Sequence, residues 1–305
     1  MDYRGETNVV KLERDVERSF NEERSTLRSA RGAYCMERIN LGLINIMPNA
    51  FNYQKLLMKS ISGVSHEVQL HPMKLVDHVY SSSSEMMDSS PSFWQVIDKT
   101  SLDLLILTGS PVEHLEFSQI TYWRELCKVL DFASNNITST LGICFGGLAI
   151  AKFLGIEKRI SQQKHFGVLP FTSSGKNTAL IGSKFSEFYM PVSTWARIDD
   201  ESLKLKLNES VVSLAHNDEM GHGVLETKDK RFLMMMAHPE YSLETLEKEW
   251  VRDSDKSVPY ALNLTESDFC QYKRYMEVAS PNFFVNWINQ HFKVSKRASL
   301  SCEII

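Results

Sequence analysis

The run Leu104-Leu105-Ile106-Leu107 has no polar face; it ends in Thr108-Gly109-Ser110-Pro111. A strand made of such residues must be covered on both sides, which is how strands sit inside a parallel sheet. Other segments repeat the theme. Leu41-Gly42-Leu43-Ile44-Asn45-Ile46 reads as a first buried strand stopped by Pro48, Glu67 to His71 alternates like a second, and Ile137 to Leu141 and Met234 to Met236 supply two more. Between them lie stretches with helical spacing: Leu56, Leu57 and Ile61 after Tyr53; Tyr122, Trp123, Leu126, Val129 and Leu130; and Ala149, Ile150, Phe153 and Leu154, closed by Gly155. Strands alternating with amphipathic helices predict an α/β fold built on a mostly parallel sheet flanked by helices.

Residues 1–38 are rich in Arg and Glu and short of large apolar side chains, and are expected to form a charged N-terminal arm. Residues 39–292 read as a single domain. Residues 293–305, with Lys293-Val294-Ser295-Lys296-Arg297, read as a polar C-terminal tail, and Ser81 to Ser92, with seven serines, as a loop. A chain of 305 residues that is 43% hydrophobic and 24% charged is an ordinary globular protein, neither fibrous nor disordered. The formal net charge of -4 offers no broad attraction for nucleic acid or anionic lipid, so neither is an expected partner. Five scattered cysteines (Cys35, Cys127, Cys144, Cys270, Cys302) show no paired or zinc-type spacing. Reduced thiols, no metal and a cytoplasmic location are the expectation, since the amino terminus is polar and no apolar run approaches a membrane span.

Chemistry concentrates in Gly142-Ile143-Cys144-Phe145-Gly146, a G-x-C-x-G turn between a strand and a helix. Such a turn raises the side chain at its centre above the sheet. The helix amino terminus favours a thiolate there, and the backbone amide of Phe145 is placed as an oxyanion-hole donor. A base is needed, and His238 follows an apolar strand in Met234-Met235-Met236-Ala237-His238-Pro239-Glu240. Glu240 is placed to orient it, giving a Cys144, His238, Glu240 triad for nucleophilic acyl chemistry. Ligands in open α/β sheets bind at the carboxyl ends of strands, where both the cysteine turn and the Thr108 to Glu113 loop fall. Three readings remain open on these residues alone: acyl transfer, glutamine hydrolysis by the same triad, and a non-catalytic binding module.

The motifs resemble those of the class I glutamine amidotransferase-like fold, which is flavodoxin-like, and within it the homoserine O-acyltransferases. The resemblance spans about Ile39 to Phe292. It rests on Leu43-Ile44-Asn45-Ile46-Met47-Pro48, Leu107 to Glu113, Tyr122-Trp123, Ser139 to Cys144, Lys164 to Val168, His238-Pro239-Glu240-Tyr241 and Asn286-Trp287-Ile288-Asn289. It implies a ping-pong reaction in which Cys144 takes an acyl group from acyl-CoA as a thioester and the hydroxyl of an amino acid, most simply L-homoserine, removes it. It further implies that Lys164 and Ser193 line the acceptor and acyl pocket, that Arg252 grips the acceptor's carboxylate, and that Glu113 selects acetyl-CoA over succinyl-CoA. Acyl-CoA is then a co-substrate, no resident cofactor is required, and a homodimer is the expected assembly. The chain departs from the family pattern at Ala50, Tyr53-Gln54, Phe145 and Pro191-Val192-Ser193-Thr194, which leaves serine or a specialised-metabolite acceptor open beside homoserine, and succinyl-CoA as an alternative donor.

Overall fold

The computed structural model describes residues 38–80, 89–182, 185–262 and 264–302. Residues 1–37 of the expected N-terminal arm and most of the serine-rich loop therefore lie outside the described residues, and Arg38 begins the first strand. Residues 39–305 form one compact unit. Its elements run β1 (Arg38–Ile44), α1 (Ala50–Ile61), β2 (Glu67–Met73), α2 (Phe93–Ile97), β3 (Leu104–Leu107), α3 (Trp123–Asn136), β4 (Ser139–Ile143), α4 (Phe145–Phe153) and β5 (Lys158–Ser173). There follow α5 (Thr178–Ile181), β6 (Glu187–Ile198), α6 (Asp200–Lys204), β7 (Val211–Asn217), β8 (Gly221–Thr227), β9 (Phe232–Met235), α7 (Leu243–Ser254), α8 (Glu266–Val278) and α9 (Phe283–Cys302). No described helix is long and apolar enough to cross a membrane.

The sheet has nine strands in the order β2-β1-β3-β4-β9-β8-β7-β5-β6. β1, β3, β4 and β9 pair in parallel, and this half is the parallel sheet read from the sequence. All four residues of β3 are buried, as their composition requires. From β9 outward the pairing is antiparallel, through β8, β7, β5 and β6. That half has mixed polarity and gave no comparable signal.

Three details differ from the sequence expectation. The strand expected at Ile137–Leu141 begins at Ser139 and continues through Ile143, because Ile137 caps α3 and its amide bonds Ala133. The first glycine of the G-x-C-x-G turn is thus a strand residue. A short helix, α2, follows the serine-rich segment; Ser92 and Gln95 form a reciprocal capping box there. The last helix runs to Cys302, so it includes the lysines and arginine expected in a tail.

Helices cover the sheet by the faces their spacing defines. In α3, Leu126, Val129, Leu130 and Ala133 are buried, each of the larger side chains contributing ~1.5–3 kcal/mol by leaving water. α4 is buried over Phe145–Ala151 and packs on β4 and β9. Gly155 closes it with φ of 82°, the left-handed conformation glycine adopts freely.

A tight backbone approach lies between β3 and α4. A Cβ on Gly146 would overlap the Leu107 carbonyl oxygen, and one on Gly142 would overlap the Gly146 carbonyl. Both obstacles are backbone, so neither can rotate away. Gly146→Ala should therefore destabilise the protein by ~1–3 kcal/mol, read as a lower urea midpoint at unchanged m-value. An unchanged midpoint would contradict this packing.

Candidate active site

β3, β4 and β9 are neighbours and end at the same level, with Ile143 in register with Met235 and Gly142 in register with both Leu107 and Met234. The residues just past these ends are Gly109, Cys144 and His238. Gly109 faces the other two: a Cβ there would stand 3.6 Å from both Cys144 Cβ and His238 Cε1.

Cys144 occupies the turn in a strained conformation, φ 51° and ψ −113°. A β-substituted residue is uncommon at positive φ, and such strain is found where the surroundings over-determine the backbone. Here the Cys144 amide donates to Met235 O at 2.7 Å, and the two flanking glycines allow the close approach. The thiol is buried, 3.8 Å from the Ser193 carbonyl. Phe145 begins α4, so its amide has no acceptor one turn back in the helix and is placed to donate elsewhere.

His238 is buried beside the thiol; its amide donates to Pro191 O at 2.8 Å, tying β6 to the end of β9. Its Nδ1 pairs with Glu240 Oε1 at 2.7 Å, and Tyr241 stacks on the ring at 4.1 Å. Burial pulls the imidazole pKa down, but Glu240 and Cys144 more than offset this and hold it well above its ordinary value. The structure therefore brings Cys144, His238 and Glu240 together in the order thiol, imidazole, carboxylate.

Lys164, Ser193 and Arg252 also converge, through two carboxylates that the sequence reading did not assign. Lys164 Nζ donates to Glu249 Oε1 at 2.9 Å and Asp253 Oδ2 at 2.6 Å, and Ser193 Oγ donates to Glu249 Oε1 at 2.7 Å. Arg252 contacts Glu249 Oε1 at 2.7 Å and Asp253 Oδ1 at 2.6 Å, while Tyr260 donates to Asp253 Oδ2 at 3.2 Å. Glu249, Arg252 and Asp253 share one face of α7 because they are three and four residues apart. Ser242 starts that helix by accepting from the Thr245 amide at 3.2 Å, four residues after His238. The cluster is thus fixed to the same chain segment as the candidate base. Lys164 is buried, whereas the Arg252 side chain is 54% exposed and open to a ligand.

Glu113 is buried in the loop after β3. Lys158 donates to the carbonyls of Glu113 and Leu115, the latter at 2.7 Å, and lies 5.4 Å from the centre of the Phe117 ring. Phe117 stacks on Phe145 with ring centres 6.0 Å apart, so the loop rests on the residue after the cysteine. Lys158 and the pair Glu249 and Asp253 are the neighbours that sequence reasoning missed. The i, i+3, i+4 spacing on α7 was the available signal for the pair.

The chain matches the model of the homoserine O-succinyltransferase family over residues 15–298. It belongs to that family. Among curated relatives, the homoserine O-acetyltransferase of Jannaschia sp. (strain CCS1) is 31% identical over 225 residues, covering 72% of this chain and 71% of the relative. The homoserine O-acetyltransferase of Bacillus pumilus (strain SAFR-032) is 29% identical over 259 residues, covering 83% and 85%. A glutamine amidotransferase from Thermotoga maritima superposes with a TM-score of 0.55 at 11% identity, covering 84% of this chain and 98% of that one. That likeness gives the homoserine O-succinyltransferase family member its fold, a glutamine amidotransferase-like sheet flanked by helices, and nothing of its chemistry.

Burial opposes ionisation of Glu249, but Lys164, Ser193 and Arg252 outweigh it and bring its pKa down from 4.5 to about 2. A carboxylate that binds protons less tightly in the folded state stabilises the fold above its unfolded pKa and loses that contribution as pH falls. Folding stability should therefore drop by about 3 kcal/mol between pH 4.5 and pH 2 from this group. In Lys164→Met, urea titrations should show that this acid-sensitive fraction has shrunk and that stability at pH 7 has fallen by ~3–5 kcal/mol, the cost of breaking a buried pair. Identical pH profiles for the two proteins would contradict the assigned pairing.

Proposed function

We propose that this protein moves an acetyl group from acetyl-CoA to the hydroxyl of L-homoserine through a thioester on Cys144. The observation that carries the proposal is the Cys144, His238, Glu240 array at the ends of two adjacent strands, in a chain that belongs to a homoserine acyltransferase family. In the first half-reaction His238 takes the Cys144 proton and the thiolate attacks the acetyl carbonyl of acetyl-CoA. The oxyanion develops against the Phe145 amide, and collapse expels the CoA thiolate, which takes the proton from the imidazolium. In the second half, His238 removes the proton of the homoserine hydroxyl, the alkoxide attacks the acetyl-cysteine carbonyl, and the Cys144 thiolate leaves and is reprotonated. Glu240 stabilises the imidazolium that forms in each half.

The cluster around α7 supplies the acceptor site. Arg252 offers a half-exposed guanidinium suited to bidentate grip of the acceptor carboxylate. Lys164 and Ser193 hold Glu249 in place, and the Ser193 carbonyl lies 3.8 Å from the thiol. Glu113 supports acetyl as the acyl group: a buried carboxylate in the loop that rests on Phe145 takes up the space of a longer acyl chain and repels the second carboxylate of succinyl-CoA. The two relatives described above are both homoserine O-acetyltransferases.

Mixing the protein with acetyl-CoA and homoserine should yield O-acetylhomoserine, and Cys144→Ala should yield none. Ammonia release from glutamine with no acetyl transfer would overturn the reading. Glu113→Gly should raise the ratio of succinyl to acetyl transfer, and an unchanged ratio removes Glu113 from donor choice. Arg252→Ala should raise the acceptor KM by about 10- to 100-fold, the loss of a charged hydrogen-bonded contact, with acetylation of Cys144 nearly intact.

A further inference from the structure

Tyr53 is an ionisable side chain against the triad that the reaction above leaves without a role. It lies on the inner face of α1, one turn past the capping residue Asn49, and is 3% exposed. Its hydroxyl has no hydrogen-bond partner among the described residues. The same is true of Glu240 Oε2, the carboxylate oxygen turned away from His238. Buried polar atoms left unpaired are rare and cost ~1–3 kcal/mol each. The two side chains are neighbours, with Glu240 within hydrogen-bonding influence of the Tyr53 phenol. Burial lifts the Tyr53 phenol well above its ordinary pKa, and the next contributions come from the Glu240 carboxylate, both as a charge and as a hydrogen-bonding neighbour, then Tyr241 and Cys144. A phenol that stays protonated at every working pH is a permanent donor, and Glu240 is a carboxylate with one oxygen unsatisfied.

We propose that Tyr53 is a positioning residue for the general base: its hydroxyl donates to Glu240 Oε2, fixing the carboxylate so that Oε1 faces His238 Nδ1. With both oxygens engaged, Glu240 cannot rotate off the imidazole, and its charge is shared between a neutral donor and the ring. The inference rests on the triad reading, but its test needs no substrate. The ionisable groups around Glu240 and His238 are Tyr53 from α1, Cys144 from the turn after β4 and Tyr241 from their own segment. Glu249 and Arg252 act on Tyr241 from α7. Lys59 and Glu277 border a cavity of about 480 Å³ that also reaches Glu240, and both are exposed to water, which screens them.

Titration of ¹⁵N-histidine-labelled protein by NMR reads the His238 midpoint directly. Removing the donor concentrates the Glu240 charge on the imidazolium, so in Tyr53→Phe the His238 midpoint should rise by about half a unit or more, with kcat lowered about tenfold and both KM values little changed. Placing 3-fluorotyrosine at position 53 keeps the ring and hydroxyl but makes a stronger donor, and should move the midpoint the other way. A merely structural tyrosine would alter activity or thermal stability without moving the titration. An unchanged His238 midpoint in both proteins overturns the proposal, even if kcat falls. Shifted midpoints without any acetyl transfer would uphold Tyr53 and overturn the acetyltransferase reading instead.

Discussion

The contact on which the site depends is the bare α-carbon of Gly146 against the carbonyl of Leu107. Because no side chain separates them, α4 enters directly over the end of β3, and the residue between strand and helix is forced into the left-handed region. That residue is Cys144. Its amide is committed to Met235, which locks the turn to β9, and β9 runs straight on to His238. One backbone approach thus fixes the thiol, the helix terminus behind it and the position of the imidazole. The Pro191 carbonyl then fastens His238 to β6, so the antiparallel half of the sheet delivers Ser193 to the same place.

Around that centre the charges are arranged in pairs. Lys164 and Arg252 face Glu249 and Asp253, two cations against two carboxylates, with Lys164 and Asp253 buried. Each bond in this group would be costly to break singly, since a charge left without its partner is expensive to bury. A zwitterionic amino acid enters this group in the proposed reaction and exchanges like for like, its carboxylate taking the exposed side of Arg252. In the proposed reaction this cluster carries recognition, while the Cys144, His238, Glu240 array carries the chemistry. α7 links the two, because it is capped only four residues after His238.

What could be read from the sequence was whatever is local. Strand, G-x-C-x-G turn and helix are consecutive, so the placement of Cys144 on the turn and of Phe145 at the helix start was legible, and His238 and Glu240 stand two residues apart after an apolar run. Lys164 meets Glu249 and Asp253 across 85 and 89 residues, and no period or cap in the chain encodes such a pairing. β5, sixteen residues of mixed polarity with a register shift between Ile160 and His165, gave no clean alternation, so the antiparallel half was not separated from the rest. Tyr53 registered only as a departure from a family pattern. Its meaning came from two unpaired atoms on side chains that only the fold brings together.

The central claim is that Cys144 carries the acyl group between donor and acceptor. Intact-mass spectrometry of the protein mixed with acetyl-CoA, with no acceptor present, tests it most directly. The account predicts one added acetyl group, mapped to Cys144 and discharged when homoserine is added. Formation of O-acetylhomoserine at full rate with no acetyl-cysteine detectable at any time would contradict it, because the acetyl group would then pass directly from CoA to the acceptor.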